Sequence, residues 1–524
     1  MTAARGDGSK AAATPEPGED IAALARGGRT NFFGFLLRLA ARLPFLFIAG
    51  HYYGAEELGR FAYASIVIEF IAQLATLGLK RGLAQQLSAG GRPDACTVFD
   101  GLLAALIASA AASALLMIFP WVLFQTGEIS AIERLVPLVV FGIAGADVAL
   151  AALAYRHDIA ATVQVRALVE PWTISIAAGA LIFIAPEDGL FIAYVVSIFA
   201  GLAFSLWRLF RSYGAPPGWK PHPVELLTVA RRNIPLAAAD AIEWGSRRFD
   251  IFILGLFVRD EIVGIYYVAQ NVASLPQKLK TSFDPILAPV ITQKLALGDR
   301  AAVARQVRQV GFWVIAAQAA IALALGIPGE ALLALFGEDR AFVGATGALA
   351  LLLAAEVVAA TAAVSEAALV YVARHRNLLI SLLMVAVQAT LTVAFILAAE
   401  RLPLRPDQLQ AYQAAGAALA LMLALAISSV LKARLLCRLL DAPVQGWRWS
   451  LIWAAGAATL VGVAISQLPE WLQLAVGAPL IMVSFGWMVW YRGFTEEDRV
   501  LFRRQDKESP TLPPPLGSEP PSAP

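Results

Sequence analysis

The stretch RTNFFGFLLRLAARLPFLFIAGHYYGAEELGRFAYASIVIEFIAQLATLGLKRGLA, residues 29–84, decides the fold. It contains two apolar spans, at 31–50 and 59–79, joined by a short turn that carries two glutamates and two glycines. A transmembrane helix needs about 20 consecutive apolar residues to cross a hydrocarbon core of about 30 Å. Each span is long enough to do so, and the stretch therefore predicts a pair of membrane-crossing helices.

The first of these spans carries charge where lipid would exclude it. Arg38 and Arg42 lie near its middle, and Asn31 lies seven residues before Arg38. Residues spaced by four and seven positions share one face of a helix. An arginine at the centre of a bilayer costs about 2.5–3.5 kcal/mol on insertion scales. We therefore expect this face to line a wet cavity with protein walls.

The composition of the whole chain is that of a membrane protein. Of 524 residues, 59% are hydrophobic and 15% are charged, whereas soluble chains have about 45–50% apolar and about 25% charged residues. The formal net charge of +2 gives no reason to expect a nucleic acid as partner. Cys96 and Cys437 stand apart from any metal-ligand spacing, so we expect free thiols, no metal site and no cofactor.

Twelve more apolar spans follow the opening pair, which predicts an all-α polytopic membrane protein with about fourteen transmembrane helices. They run approximately over 100–124, 135–155, 164–185, 189–210, 233–257, 263–283, 310–328, 342–370, 377–399, 410–431, 449–468 and 472–491.

The basic residues predict the orientation of these helices. Twenty-nine lysines and arginines fall in connections on the side of the two termini, and six fall on the opposite side. Because cytoplasmic loops of membrane proteins carry the excess of Lys and Arg, we expect both termini in the cytoplasm. The remaining six basic residues lie within the spans themselves.

A weak internal repeat relates the two halves of the chain. An offset of 205 residues places Arg42 on Arg247 and Gly59 on Gly264, and aligns EELGRFAYA with EIVGIYYVA. Six predicted crossings separate the copies, so both halves have the same orientation in the membrane. The repeat would then be a parallel one, with its axis along the membrane normal.

This repeat divides the chain into two lobes of six helices and a two-helix appendix. We expect the lobes over 26–212 and 225–432, and the last two helices within 448–492. The flanking segments 1–25 and 493–524 are rich in proline and polar residues and are expected to be disordered cytoplasmic tails.

Helix 7 holds the densest set of charges within the predicted spans. Glu243, Arg247, Arg248 and Asp250 follow one another within eight residues. One interpretation places Arg38, Arg42, Arg247 and Arg248 in a cationic cavity that binds an anionic substrate such as a phosphate, because arginine stays charged and its planar fork binds phosphate bidentately. The alternative interpretation is that these charges form structural ion pairs between the lobes.

Further polar residues of the spans are accessory candidates for the same cavity. A lysine near a helix end can instead reach to the headgroups, and an intramembrane acid can serve in proton coupling or as a plain hydrogen-bond partner. The accessory candidates are Asn31, Glu243, Asp250, Lys278, Lys280 and Asp147.

The segments NFFGFLLRLAARL, YYGAEELGRFAYA and LATLGLKRGLAQQL resemble polysaccharide flippases of the Wzx type, in the multidrug/oligosaccharidyl-lipid/polysaccharide (MOP) exporter superfamily. The resemblance implies two lobes in a V with alternating access. It also implies a bacterial inner-membrane protein that moves an undecaprenyl-pyrophosphate-linked oligosaccharide to the periplasmic leaflet. Flippases of this kind have a basic cavity, and the matching positions are Arg38, Arg42 and Arg247.

The same resemblance implies partners and leaves alternatives. The partners would be the lipid-linked substrate, membrane lipids, and the glycosyltransferases and polymerases of lipopolysaccharide or exopolysaccharide synthesis. Lipid II flippases share the span count and the cationic cavity. Related drug antiporters tend to carry an acid in helix 1, where this chain has arginines. A membrane-embedded polymerase or ligase would need a long periplasmic loop, and the predicted loops are short, so we expect a transporter and no enzyme.

Overall fold

The computed structural model describes residues 43–495 and 498, except 90–91, 126, 217, 222, 246–247, 278–290 and 296. Throughout these residues the regular structure is helical and contains no strand, which confirms the predicted all-α class. Cys96 and Cys437 are both free thiols, as expected.

The N-terminal half of the described chain contains six long helices. They are α1 (Gly54–Ala75), α2 (Leu79–Ala89), α3 (Asp94–Ile118), α4 (Val139–Tyr155), α5 (Glu170–Leu181) and α6 (Gly189–Tyr213). Shorter turns of helix, some of them 3₁₀ or π, lie at Ala49–Tyr53, Pro120–Val122, Glu133–Leu138, Ile159–Gln164 and Val165–Val169.

The C-terminal half of the described chain is also built from helices. Its helices are α7 (Pro223–Gly245), α8 (Phe249–Gly255), α9 (Asp260–Ala273), α10 (Arg300–Gly326), α11 (Thr346–Val372), α12 (Arg374–Glu400), α13 (Pro406–Leu440), α14 (Ser450–Ile465) and α15 (Ala478–Arg492). Shorter turns lie at Gly329–Ala334, Glu338–Ala345, Glu470–Leu472 and Gln473–Gly477.

Nine stretches of the described chain are helices long and apolar enough to span a membrane. Eight of them coincide with one predicted span each, and the first, Leu43–Ser88, includes the predicted span 59–79 and the end of 31–50. The predicted spans 31–50, 233–257 and 263–283 all include residues outside the described ranges. The span at 449–468 forms a helix of only 16 residues, Ser450–Ile465. The span at 164–185 is helical but carries an arginine and a glutamate and is interrupted by a π turn.

The turn between α1 and α2 brings the chain against the other half of the molecule. Leu77 and Gly78 both have positive φ angles, 52° and 70°. A Cβ atom on Gly78 would lie 2.5 Å from the backbone nitrogen of Ala237 and 2.7 Å from the carbonyl oxygen of Asn233, both in α7. Glycine is therefore required here both by the left-handed conformation and by the close approach of α7.

The two halves also meet at the opposite end of α1, where it packs against α9. A Cβ atom on Gly59 would lie 2.9 Å from the backbone nitrogen of Gly264, and one on Gly264 would lie 2.9 Å from that of Gly59. Each would also collide with a backbone carbonyl, of Asp260 and of Ala55 respectively. Both glycines and both carbonyls are related by the offset of 205 residues, so the contact is reciprocal and matches the predicted repeat.

Three apolar clusters hold the helices together. The largest joins both halves around α1 and α9, and includes Phe61, Tyr194, Ile251 and Tyr266. A second cluster packs α14 and α15 against α10, α11 and α13. A third lies within the N-terminal half, around α2, α3 and α4. The last two helices are therefore docked on the C-terminal half.

Candidate functional site

The described residues include only part of the predicted cationic cavity. Arg248, Asp250 and Asp147 are described, and Glu243 is placed in α7 without a described side chain. The other predicted site residues lie outside the described residues. They are Asn31, Arg38, Arg42, Arg247, Lys278 and Lys280.

Asp250 lies in α8 at the centre of a hydrogen-bonded cluster with α9. Its side chain is completely buried. The hydroxyl of Tyr266 donates to Oδ2 at 2.8 Å, and Nε2 of Gln270 lies 2.9 and 2.8 Å from the two carboxylate oxygens. Tyr266 and Gln270 are four residues apart, so they share the face of α9 that packs against α8. Neutral donors therefore satisfy this carboxylate.

Arg248 lies just before α8 and joins the same cluster through the glutamine. Its Nη1 donates to Oε1 of Gln270 at 3.3 Å. Within the part of the chain that the structure describes, no carboxylate lies within salt-bridge distance of this guanidinium. Since an arginine has five N–H donors, most of the donors of Arg248 are not used by this bond. The arrangement supplies a cation with spare donors beside a satisfied acid.

A second polar cluster lies in the N-terminal half, around Asp147 of α4. Arg166 forms an ion pair with Asp147 and also donates to both oxygens of Glu170, at 2.7 and 2.9 Å. Nε2 of Gln73 lies 3.5 Å from Asp147, and Nζ of Lys80 lies 4.0 Å from it. Each acid of this cluster therefore has a basic partner within the same half.

Sequence reasoning missed Arg166 and Glu170 as members of a buried cluster. Arg166 was assigned to a connection, although it lies at the start of the predicted span 164–185. The signal was available, because an Arg and a Glu four residues apart inside an apolar span are able to pair on one helix face. The π turn Val165–Val169 lies at this point of the helix, and such turns often mark functional sites.

An ion pair connects the two halves at the Gly78 end of α1. Nε of Arg81 in α2 lies 2.9 Å from Oδ1 of Asp240 in α7, whose side chain is only 4% exposed. In the sequence, Arg81 is one of the 29 basic residues of the connections on the side of the termini. It also contributes a contact between the halves, close to the packing of Gly78 on α7.

Two of these clusters are built from acid–base pairs, and the cluster around Asp250 is built from neutral donors. Within the described ranges, no three His, Cys, Asp or Glu side chains come together in a way that holds a metal ion. The chemistry available is that of guanidinium, carboxylate, amide and phenol groups in a membrane interior, which suits recognition of a charged solute.

The sequence of the chain matches a known protein family. The family of polysaccharide biosynthesis proteins matches residues 54–325, slightly more than half of the chain. That range includes α1, α9, and the residues that form both polar clusters. No curated protein sequence matches the chain.

Solved structures of transporters share the fold. The lipid II flippase MurJ in an inward closed conformation has a TM-score of 0.64 at 11% identity, over 89% of this chain and 99% of that chain. An inward-facing multidrug resistance MATE transporter of the MOP superfamily has a TM-score of 0.61 at 15% identity, over 78% and 99%. A MOP superfamily transporter from Pyrococcus furiosus has a TM-score of 0.56 at 13% identity, over 82% and 96%.

Proposed function

This chain belongs to the polysaccharide biosynthesis protein family, and from that premise we propose that it is a flippase for a lipid-linked oligosaccharide. The substrate would be an oligosaccharide on undecaprenyl pyrophosphate, moved from the cytoplasmic to the periplasmic leaflet of the bacterial inner membrane. The fold that the chain shares with transporters of the MOP superfamily supports this proposal.

The observation that carries the proposal is the guanidinium of Arg248, which donates to the amide of Gln270 and has no carboxylate within salt-bridge distance among the described residues. Asp250, two residues further along the chain, receives its hydrogen bonds from Tyr266 and Gln270. The spare N–H donors of Arg248 are suited to an anionic group of a substrate, because basic residues inside membrane proteins mark substrate and ion pathways. A pyrophosphate is a partner that the arginine fork recognises well.

The remaining predicted arginines would complete the binding site. Arg38, Arg42 and Arg247 join Arg248 in this proposal, and the predicted repeat brings Arg42 and Arg247 to facing positions. The four guanidiniums would hold the pyrophosphate while the polyprenyl chain stays in the bilayer. Asn31, Lys278 and Lys280 are proposed to guide the substrate to them.

The contacts between the halves suggest how the site would open to one side at a time. The contact of Gly59 with Gly264 holds the two halves together at one end of α1. The ion pair of Arg81 with Asp240 holds them together at the other end. Breaking the first contact while keeping the second would expose the site to one leaflet, and the reverse would expose it to the other. We propose that lobe rocking alternates between these two states.

We further propose the location and the partners that this function requires. Both termini would lie in the cytoplasm, as the excess of basic residues on their side predicts. The lobes would extend over 26–212 and 225–432, with 448–492 forming the appendix. Glycosyltransferases would supply the lipid-linked oligosaccharide, and a polymerase would consume it.

A second candidate function is export of a drug or cation, which the similarity to the multidrug transporter favours. That function would need an acid that binds the cation. Three of the described acids, Asp147, Glu170 and Asp250, are engaged by hydrogen bonds or ion pairs within their own half, which disfavours them as ligands of a cation. The arginines of the first predicted helix also oppose a cationic substrate.

The test is the leaflet location of lipid-linked oligosaccharides in a strain that lacks this protein. Labelling from the periplasmic side should find them missing from the outer leaflet, and the wild-type chain should restore them. The double variant Arg42→Gln with Arg247→Gln should not. A matched control is Arg134→Gln, which removes one exposed arginine remote from the predicted cavity and should restore labelling fully.

Two outcomes would overturn the proposal in different ways. If the oligosaccharide reaches the periplasm normally in the deletion strain but stays unpolymerised, the protein acts after flipping. If the arginine variant restores labelling as well as Arg134→Gln does, the arginines are structural and another set of residues binds the substrate.

A further inference from the structure

A groove between α12 and α13 combines arginines with aliphatic side chains. Its volume is about 400 Å³, within the range of about 300–1,000 Å³ that is usual for small-molecule sites. It is separate from both polar clusters described above. The side chains that line it are Arg376, Leu379, Ile380, Leu431, Arg434, Leu435 and Arg438.

The three arginines gather at one end of this groove. Because only the short loop 401–405 joins α12 to α13, the two helices form a hairpin and the start of α12 lies beside the end of α13. Arg376 lies in the first turn of α12, and Arg434 and Arg438 lie in the last two turns of α13. The aliphatic residues lie along the same walls, up to one or two turns deeper.

None of the three arginines is committed to the fold by an ion pair in the described part of the chain. All three are exposed. The neighbouring cation of α13 behaves differently. Lys432 is buried, and its Nζ lies 3.2 Å from Oε2 of Glu366 and 3.1 Å from Oγ of Ser381. The buried lysine is therefore satisfied by an acid of α11 and a serine of α12, whereas the three arginines of the groove are exposed.

The groove lies on the outer surface of the helical bundle. Only 22% of the apolar window of α12 is buried within the protein, and Leu379 in the groove is 65% exposed. An apolar helix exposed to this extent faces bilayer lipid. A ligand of the groove would therefore come from the surrounding bilayer.

We propose that this groove binds an anionic phospholipid of the bilayer. The phosphodiester would accept charge-assisted hydrogen bonds from Arg376, Arg434 and Arg438, and the first carbons of the acyl chains would contact Leu379 and Leu435. Arginine matches phosphate in geometry as well as in charge. A zwitterionic phosphatidylcholine would bind more weakly, because its ammonium group would lie close to three guanidiniums.

The test is retention of lipid by the full-length protein, measured by native mass spectrometry. The protein is purified in micelles that contain equal amounts of dioleoyl phosphatidylglycerol and dioleoyl phosphatidylcholine. The wild type should retain phosphatidylglycerol preferentially. The triple variant Arg376→Gln, Arg434→Gln and Arg438→Gln should retain about tenfold less of it, since each charge-assisted bond contributes to binding.

A matched control separates this groove from general attraction of anionic lipid. The triple variant Arg305→Gln, Arg308→Gln and Arg374→Gln removes equal charge from exposed positions predicted on the same side of the membrane and should retain lipid like the wild type. Equal losses from both triple variants, or no loss from the groove variant, would overturn the proposal. If the groove variant fails to fold, Arg434→Gln alone replaces it, with a smaller loss expected and Arg374→Gln as its control.

Two competitors distinguish the source of the phosphate. Soluble glycerol 3-phosphate should not displace phosphatidylglycerol, because it lacks the chains that contact the aliphatic part of the groove. Displacement by it would overturn the assignment to a lipid. Undecaprenyl phosphate should compete no better than phosphatidylglycerol, and strong preference for it would reassign the groove to the carrier lipid. Retention is measured without transport, so the result is independent of the proposed flippase activity.

Discussion

Each half of the molecule buries an aspartate, but the partners of the two carboxylates differ in charge. Asp147 in the N-terminal half is 6% exposed and is held by Arg166, with Lys80 at 4.0 Å. Asp250 in the C-terminal half is fully buried and is held by a tyrosine and a glutamine. Charge is therefore cancelled inside the first cluster, whereas the second leaves Arg248 available. The two halves therefore stabilise a buried carboxylate by different means, with ion pairs in one half and with neutral hydrogen-bond donors in the other.

The largest effect should come from breaking the ion-pair cluster. Arg166→Gln leaves Asp147 and Glu170 with much less compensation, and breaking a buried pair typically costs about 3–5 kcal/mol. We expect the free energy of unfolding to fall by about 3 kcal/mol, near the lower end of that range, because the arginine side chain is 31% exposed. Thermal unfolding in detergent measures it.

The matched variant in the other half is Arg248→Gln. It removes one hydrogen bond to an amide, at 3.3 Å, so the free energy of unfolding should fall by no more than about 1 kcal/mol. It should nevertheless lower flipping of the oligosaccharide. If Arg248→Gln is as destabilising as Arg166→Gln, the contrast between the halves is wrong.

A smaller and symmetrical effect is expected where the halves touch. Gly59→Ala and Gly264→Ala each add a Cβ against backbone atoms, and such overpacking typically costs about 1–3 kcal/mol. We expect each variant to lower the free energy of unfolding by about 2 kcal/mol, measured by thermal unfolding. The two losses should be equal because the contact is reciprocal. Gly456→Ala and Gly486→Ala are controls, since a Cβ there meets no atom within 4 Å. Clearly unequal losses at Gly59 and Gly264 would contradict the symmetry.

Removal of a single oxygen atom should weaken the hydrogen-bonded cluster around Asp250. Tyr266→Phe removes the donor that lies 2.8 Å from Asp250, and hydrogen bonds to charged groups contribute about 1.5–3 kcal/mol. We expect a loss of about 1.5 kcal/mol, because Gln270 still donates. The adjacent Tyr267→Phe is the control, since that tyrosine is equally in the core but makes no side-chain hydrogen bond within the described residues. Equal effects would show that the bond to Asp250 contributes nothing specific.

The smallest effect concerns an acid outside the membrane core, Asp498. Burial raises the pKa of this carboxyl, but hydrogen bonds from Arg448 and Thr495 outweigh burial and leave the pKa below its usual value. A lowered pKa in the folded state stabilises the protein above the ordinary carboxyl pKa of about 3.9, and this stabilisation is lost as the pH falls through the folded pKa. Asp498→Asn should cost about 1 kcal/mol at neutral pH.

The pH dependence of that variant is the sharper measurement. The difference in melting temperature between wild type and Asp498→Asn should be constant from pH 7 to about pH 5 and should close below about pH 4. Asp441→Asn is the control, because Asp441 is exposed at the end of α13 and has a left-handed conformation that asparagine tolerates. A gap that persists in acid would show that ionisation of Asp498 is not the cause.

Much of the fold followed from hydropathy, because each helix that crosses lipid must be apolar over its whole length. The nine helical stretches long enough to span all overlap predicted spans. The predicted span 164–185 is also helical, but a charged pair lies inside it and it is not among the nine. A buried ion pair lowers the mean hydropathy without preventing the helix from lying among its neighbours.

The partners of the charged residues were harder to predict than the helices. Arg81 lies directly after a span and has the pattern of an ordinary loop arginine, yet it reaches Asp240 about 160 residues later in the chain. Such a pairing depends on how α2 packs against α7, and no local pattern contains that information. The repeat aligns Gly59 with Gly264 in the sequence, but the contact between them is seen only in the structure.

The contact of Gly59 with Gly264 has a consequence for how the two halves could diverge. It is made by backbone atoms, and any two segments of similar course can form it if each supplies one glycine. The surrounding side chains can therefore change during evolution without loss of this contact between the halves. The two copies of a duplicated ancestor could thus have changed their side chains separately while they kept this contact. The two halves therefore share few identical residues at an offset of 205, although the glycines and carbonyls of the contact are still related by that offset.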